Sequence, residues 1–364
     1  MSLSLSSLSL FQFKNYNQQD FDFTERIVGI CGKNGRGKTN LLDAIHYLCF
    51  TKSYFSRQDQ LAVQHGHQGF RLQGNFTLRD EKEKAVCIVR ETGKKEFSVN
   101  DELYTRFSKH IGRYPCVVIA PDDVQLIIGN SDDRRKFIDT LLSQLDHAYL
   151  QSLINYTRIL QQRNSFLRNY NEGYGNKDLS VLDILDEQLV KEGNVVFNKR
   201  KEFLLQFLPS VKQLYNEIAQ TYEPLNLIFE SELLQNDFPE LLTYNRQKDL
   251  LIQRTSSGIH RDDLLFSLAE QAFKSIASQG QKKSLLFALK LAELEVIKKE
   301  KRLSPLLLLD DVFEKLDEER ITNLLMQVSA DEDCQIFITD TNCGRLKEKL
   351  SNLEKNFQLI ELKM

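Results

Sequence analysis

The chain has no tryptophan, no Cys-x-x-Cys pair, almost no net charge, and no apolar run approaching the ~20 residues a membrane helix needs. Each absence excludes something. Cys31, Cys49, Cys87, Cys116, Cys334 and Cys343 are scattered, with no histidine at zinc-finger spacing. Neither a zinc module nor a disulfide scaffold is expected, and all six should be reduced thiols. No positively charged region precedes the alternating Ser/Leu stretch Ser2–Leu10, whose period is that of a strand and not of a signal peptide. A cytoplasmic chain without membrane contact is expected. A net charge of −3 lacks the basic bias of an obvious nucleic-acid binder, so any DNA site must be a local patch. Low-complexity tracts and internal repeats are absent, which excludes a solenoid.

What is present suits a large α/β core: 41% apolar residues and 23 phenylalanines in 364 residues supply ample volume to bury, and two lobes are expected at this length. Leu5–Phe13 alternates, Arg26–Ile30 is an apolar run before a glycine-rich turn, and a helix is predicted from Lys38 with Leu41, Leu42, Ile45 and Leu48 on one face. Phe70–Phe76 and Ala85–Arg90 read as strands. From Asp132 the period becomes helical and one long helix to Leu160 is predicted. After a breaker at Asn169–Asp178, a second helix should run from Val181 to Leu208, end at Pro209, and be followed by a third to about Tyr222. Leu306–Leu309 and Gln335–Thr339 read as buried parallel strands, with helices at Lys282–Lys299 and Glu318–Val328. The expected organisation is an α/β head from residues 1–125 plus 255–364 and a helical arm from 126 to 254.

Gly32-Lys33-Asn34-Gly35-Arg36-Gly37-Lys38-Thr39, followed by Asn40, fits the phosphate-binding loop G-x-x-x-x-G-K-[ST] in its strand–turn–helix context. Glycines let backbone N–H groups close around phosphates, Lys38 reaches the β- and γ-phosphates of ATP, and Thr39 offers a hydroxyl to Mg²⁺. Asp310-Asp311 follow four leucines, where a buried strand delivers carboxylates to the ligand-binding edge of a sheet. One can hold Mg²⁺ and the next can act as base towards the attacking water; resemblance to P-loop ATPases, by the order usual among them, implies the metal role for Asp310 and the catalytic one for Asp311, with Lys38. Ser278-Gln279-Gly280-Gln281 precedes a helix, where it is either a cap or an anion-binding turn. Arg134-Arg135-Lys136 and Lys282-Lys283 are short basic runs that could meet DNA, although a solvated helix face is the plainer reading.

Taken together and in order, these elements resemble the bacterial RecF family within the ABC/SMC-type P-loop ATPases. Phe13-Lys14-Asn15-Tyr16 is similar to its Phe-Arg-Asn-Tyr element, Gly37–Ile45 to its P-loop and helix, and Gly258-Ile259-His260-Arg261-Asp262-Asp263 to its Gly-Pro-His-Arg-Asp-Asp element, with Ile259 in place of proline. Ser278–Gln281 resembles the signature loop, Leu308–Phe313 the Walker B strand, and Ile338-Thr339-Asp340-Thr341 the switch strand. The resemblance implies an α/β head with an inserted helical arm. It also implies a homodimer formed on ATP, in which Ser278, Gln279, Gly280 and Gln281 of one subunit complete the other's nucleotide site, and Thr341 in the switch role. Duplex DNA and single-strand/double-strand junctions are the implied substrates. RecR with RecO, and indirectly RecA, are the implied partners in recombinational repair.

The loop after Walker B reads Glu314-Lys315-Leu316-Asp317, so only Leu316 and Asp317 match the family's Ser-Glu-Leu-Asp. Gln58, Gln60 and Gln64 all remain candidates for a metal-sensing glutamine. His260, flanked by Arg261 and Asp262, is expected to be an ion-paired structural or signalling residue and not a metal ligand. A transporter ATPase would carry Leu-Ser-Gly-Gly-Gln and a switch histidine, which are lacking, and the arm is too short for a hook-bearing coiled coil. Another SMC-like ATPase, or a clamp that binds ATP with negligible turnover, stays open.

Overall fold

The first sheet is set by where leucine recurs in the opening strand. In the computed structural model, which describes residues 2–56, 58–172, 178–219, 222–312, 325–326 and 328–363, Leu3, Leu5, Leu8, Leu10 and Phe13 all face the core. Strict alternation would put Leu8 outside. A register shift between Leu5 and Ser7 inserts one residue and returns the leucines to the inner face.

Along the chain the elements are β1 (Leu3–Phe13), β2 (Tyr16–Asp22), β3 (Ile27–Cys31), α1 (Lys38–Phe50), β4 (Phe70–Leu78), β5 (Glu81–Val89), β6 (Lys95–Val99), β7 (Glu102–Leu103) and β8 (Cys116–Ile119). Then come α2 (Gln125–Ile128), α3 (Ser131–Leu145), α4 (His147–Glu172), α5 (Ser180–Ala219), β9 (Leu225–Glu230), α6 (Phe238–Ile252), β10 (Asp263–Leu268), β11 (Gln271–Ala272) and α7 (Phe273–Ile276). The last are α8 (Gln279–Lys301), β12 (Leu306–Leu309), β13 (Ile336–Asp340), α9 (Cys343–Ser351) and β14 (Phe357–Glu361).

Two compact units result: Met1–Asp123 with Leu289–Met364, and Val124–Ala288. The first holds a five-stranded sheet, β14-β3-β13-β12-β8, and a six-stranded antiparallel sheet, β2-β1-β4-β5-β6-β7. Every pairing in the five-stranded sheet is parallel. Leu306–Leu309 are all buried between β13 and β8, and at about 1.5–3 kcal/mol for each buried leucine the strand is anchored by its own side chains. That anchoring leaves Asp310 at the carboxyl end of the sheet.

The second unit carries α2 to α7, the first part of α8 and a three-stranded sheet, β11-β10-β9. The expected return to the head at residue 255 is corrected here: β10 pairs along its whole length with β9, from Asp263↔Glu230 to Leu268↔Leu225, so this segment packs with the arm. The predicted helix 132–160 is broken at Asp146, whose Oδ1 accepts from the N–H groups of Ala148 (2.8 Å) and Tyr149 (3.1 Å) and starts a new helix. Conversely, Pro209 does not end its helix. α5 runs 40 residues through it, because Leu204, Phe207, Leu208, Val211, Leu214 and Tyr215 continue one buried face across the proline. The predicted helix Glu318–Val328 lies mostly outside the described residues.

Inside this unit two buried arginines gather the carboxylates. Arg163 binds Asp186 (2.6 Å) and Asp249 (2.7 Å), while Arg200 binds Asp139 and Asp262 (both 2.8 Å) and the Ile259 carbonyl (2.8 Å). Removing a charge from such a network strands its partners in a dry interior.

Candidate functional site

The site is built where β3 turns into α1. Gly32, Gly35 and Gly37 take φ of 152°, 80° and 98°. At Gly37 a Cβ would come within 2.5 Å of the Asn15 amide, so glycine is required there by conformation and by space. The same Asn15 accepts from Asn40 Nδ2 (2.7 Å), and the Tyr16 hydroxyl donates to the Gly37 carbonyl (3.0 Å). Lys14 pairs with the buried Asp43 (2.6 Å), which also accepts from the Ser53 hydroxyl and the Tyr54 N–H (both 2.7 Å). The Phe13–Tyr16 element therefore braces the phosphate loop and its helix. Sequence reading recognised this element only as a family marker; its short, polar Lys-Asn-Tyr run at a strand end was the available signal.

Lys38 is buried, and its Nζ donates to the carbonyls of Gly32 (2.8 Å) and Lys33 (3.3 Å). Thr39 Oγ1 meets both carboxylate oxygens of Asp310, at 2.8 and 3.0 Å. Thr339 from β13 was missed in the sequence and joins the two acids: its hydroxyl donates to Asp310 (2.8 Å) and accepts from the Asp311 N–H (2.8 Å). Burial raises the Asp310 carboxyl above its ordinary range, against the opposing pull of the Thr339 and Thr39 hydroxyls and the Lys38 charge. Asp311 itself has a left-handed backbone, φ 48°, a conformation concentrated at functional turns. Hydroxyl and carboxylate oxygens side by side are the hard donors that suit Mg²⁺, so Thr39 and Asp310 fit that ion. Lys33, Asn34 and Arg36 lie in the same loop, with Lys33 and Asn34 on its exposed side.

Thr341 follows β13, and its hydroxyl lies 3.4 Å from Asp340, which takes a bidentate ion pair from Arg345 (2.8 and 2.6 Å). Here one expectation fails. Cys31 and Cys343 form a disulfide with Cα atoms 5.1 Å apart. Spacing of 312 residues hid the pair; parallel pairing of Asp340 with Cys31 across β13 and β3 creates it. The other four cysteines are buried and outside the disulfide.

In the second unit, Ser278–Gln281 is a capping box with Ser278 exposed and Gln281 half-buried. Ser278 Oγ accepts from the Gln281 N–H (3.2 Å), and Gln281 Oε1 accepts from the Ser278 N–H (2.8 Å). Gln281 Nε2 also donates to Glu223 (2.9 Å), while Gln279 is exposed and Gly280 half-buried. Two of the candidate DNA contacts are corrected: Arg134 is buried in a bidentate pair with Asp263 (2.6 and 2.9 Å), and Arg135 is held by Asp132 and the Asp262 carbonyl. Their charges serve the loop 258–263, and only Lys136 of the run is exposed.

His260 is corrected too. Among the described residues it is not ion-paired but hydrogen-bonded: its Nδ1 lies 2.8 Å from the Tyr156 hydroxyl and its Nε2 3.2 Å from the Thr255 carbonyl. Since a carbonyl can only accept, Nε2 carries the proton and Nδ1 accepts from Tyr156. Burial lowers its pKa to about 4, leaving it neutral. Gly258, φ 125°, lets the chain pass where a Cβ would sit 2.7 Å from Phe238 and the Tyr156 hydroxyl. Gln58 and Gln60 are exposed beside a short 3₁₀ turn and Gln64 is half-buried. Glu314–Asp317 lies outside the described residues. Among the described residues no helix is long and apolar enough to cross a membrane.

Residues 4–360 match the model of the RecF/RecN/SMC N terminal domain. The chain is 40% identical, over 99% of its length and 100% of the relative's, to the DNA replication and repair protein RecF of Flavobacterium johnsoniae. It is 38% identical to that of Phocaeicola vulgatus, over 98% of this chain and 95% of the relative. Among solved structures it resembles that of the recombination mediator protein RecF–ATP in the RecFOR pathway, with a TM-score of 0.86 and 29% identity over 94% of this chain and 92% of that one. An SMC head bound to the C-terminal winged-helix domain of ScpA shares the fold, with a TM-score of 0.53 and 14% identity over 94% and 91% of the two chains.

Proposed function

The chain belongs to the RecF family of DNA replication and repair proteins, and from that premise we propose that it is a slow, DNA-stimulated ATPase that dimerises on ATP and acts in recombinational repair. The observation that carries this reading is the joining of Thr39, Asp310, Thr339 and Asp311 at one sheet edge beside a braced phosphate loop.

Lys38 Nζ rests on two backbone carbonyls that it can exchange for the β- and γ-phosphate oxygens of ATP, while the N–H groups of residues 33–40 close on the phosphates. Thr39 and Asp310 would hold Mg²⁺, which supplies charge neutralisation at the phosphates when bound. Asp311 takes a proton from the attacking water and orients it in line with the γ-phosphate. Thr339 keeps the two acids in their separate roles, since it is bonded to the carboxylate of one and the backbone of the other.

In the proposed head-to-tail homodimer, Ser278 and Gly280 of one protomer cap the nucleotide of its partner, and Thr341 reports the state of the γ-phosphate to the dimer. The exposure of Ser278 and Gln279 supports this reading, because that part of the turn is open to a second chain. The closed dimer would hold duplex DNA at single-strand/double-strand junctions and, with RecO and RecR, help RecA load at gaps. A RecF–ATP structure in the RecFOR pathway supports that assignment by likeness. The test is steady-state ATP turnover with and without duplex DNA. Stimulation is expected, and a rate that stays at background in both conditions would replace the ATPase by a nucleotide-binding clamp.

A further inference from the structure

The mechanism leaves one reactive pair unused. Cys31 is the last residue of β3, directly before Gly32, and is fully buried. Cys343 opens α9 two residues after Thr341 and is half-buried. Their Cα separation of 5.1 Å lies in the range where a disulfide closes without backbone movement. The segment between β13 and α9 is otherwise fastened by reversible contacts: the Gly32 N–H donates to the Asp340 carbonyl (3.3 Å) and Arg345 grips the Asp340 carboxylate. A covalent tie from the residue before the phosphate loop to the first residue of α9, two beyond Thr341, removes relative freedom that the contacts leave.

We propose that Cys31 and Cys343 are a reversible thiol–disulfide site whose closed form holds the switch segment against the phosphate-loop strand and slows ATP turnover. The slowing rests on the ATPase reading above; the clasp itself does not. A low-molecular-weight thiol and its disulfide set the state. In reduction, the thiolate of the small thiol attacks Sγ of Cys343, because Cys31 Sγ is enclosed. A mixed disulfide forms on Cys343, and Cys31 leaves as thiolate and takes a proton. A second small thiol attacks the mixed disulfide and releases Cys343 as thiol together with the small disulfide. Two electrons and two protons pass to the protein, and oxidation runs the same steps in reverse. Cys49, Cys87, Cys116 and Cys334 are at most 2% exposed, so a small thiol meets this pair before the others. Nucleotide binding should change little, since the phosphate contacts begin after Gly32. Turnover should respond because the segment that carries Thr341 is the one restrained.

The full-length protein is equilibrated in mixtures of reduced and oxidised glutathione, alkylated, and read three ways: peptide mass spectrometry, amide hydrogen exchange across residues 340–346, and ATP turnover. A linked Cys31–Cys343 peptide is expected in the oxidised protein and two alkylated cysteines in the reduced one. Reduction should speed exchange in 340–346 by about threefold or more, as a local opening is released, and raise turnover by about threefold. Cys343→Ser should show the reduced values in every mixture. Absence of the linked peptide overturns the proposal, as does a linked protein with exchange and turnover equal to those of the reduced form. Exchange that differs while turnover is present and unchanged overturns the regulatory claim. Turnover absent from both states, with the exchange difference intact, counts for the clasp and against the ATPase reading.

Discussion

Lys38 and Asp311 divide the proposed chemistry between binding and turnover, so their substitutions should separate. Lys38→Met removes a buried ammonium whose bonds to phosphate are charge-assisted. A loss of about 1.5–3 kcal/mol, roughly ten- to a hundredfold in ATP affinity, is expected in a nucleotide-binding titration. Asp311→Asn should bind ATP normally and lose roughly 10²–10⁴ in single-turnover rate, because the water loses its base. Wild-type hydrolysis in that variant would remove Asp311 from the mechanism. His260 makes a prediction of another kind. Its pKa falls from 6.5 to about 4 on burial, so between these values the unfolded chain binds more protons than the folded one. Stability is therefore lost as pH drops through that window, by about 2 kcal/mol from this residue between pH 7 and 5. His110, also lowered to about 4 by burial, adds a similar slope. His260→Gln can still accept from Tyr156 and donate to Thr255. Urea unfolding at the two pH values should show a shallower slope in this variant, and an unchanged slope would contradict the neutral, buried state of His260.

At the scale of elements, local signals and tertiary packing disagree most visibly in α5. Pro209 has the φ of a helix but no N–H, and its ring crowds the preceding turn. From sequence it reads as a terminus, yet the buried face from Leu204 to Tyr215 carries the helix past it. The proline is itself exposed. Pro209→Ala should therefore restore a backbone bond without disturbing the core and raise stability by up to about 3 kcal/mol, read as the midpoint of chemical unfolding. A lower midpoint would mean that the proline is needed for the shape of α5. The break at Asp146 is the opposite case. The apolar period continues through it, but a carboxylate that accepts two N–H groups outweighs periodicity at a single position. The phosphate loop was legible because its glycines answer to local φ and to close approach, both written into the residue type. Its bracing by Asn15 and Tyr16 was not, because those contacts join β1–β2 to α1 across the fold.

At the scale of the whole molecule, the proposed dimer assigns Lys38 and Ser278 of one chain to different nucleotide sites. Ser278→Arg places a bulky cation in the exposed turn and should leave ATP binding by the single chain intact while abolishing turnover. Mixed with Lys38→Met, it forms heterodimers in which one site carries both defects and the other neither. Turnover should reappear in the mixture, at a fraction of the wild-type rate set by the share of heterodimers. Normal turnover by Ser278→Arg alone, shown to be monomeric by sedimentation, would take the signature turn out of catalysis.

The residues themselves determined the chemistry of the nucleotide site and the α/β class. Gly32–Thr39 and Leu306–Asp311 are continuous stretches whose function depends on neighbours in sequence, and a strand–loop–helix fixes their relative positions within a few residues. The ordered family motifs extended that reading to the signature and switch. Only the tertiary structure decided which charges stay available. Arg134 and Arg135 look like a basic patch in one dimension, but Asp263, more than 120 residues away, neutralises Arg134, while Arg135 pairs with nearby Asp132 and is aimed at the distant Asp262 carbonyl. The same holds for Thr339 between the two acids, for β10 joining the arm through β9, and for Cys31 meeting Cys343. Each depends on a pairing between distant strands or helices, and burial of apolar surface selects such pairings without leaving a periodic mark at the polar residues they bring together.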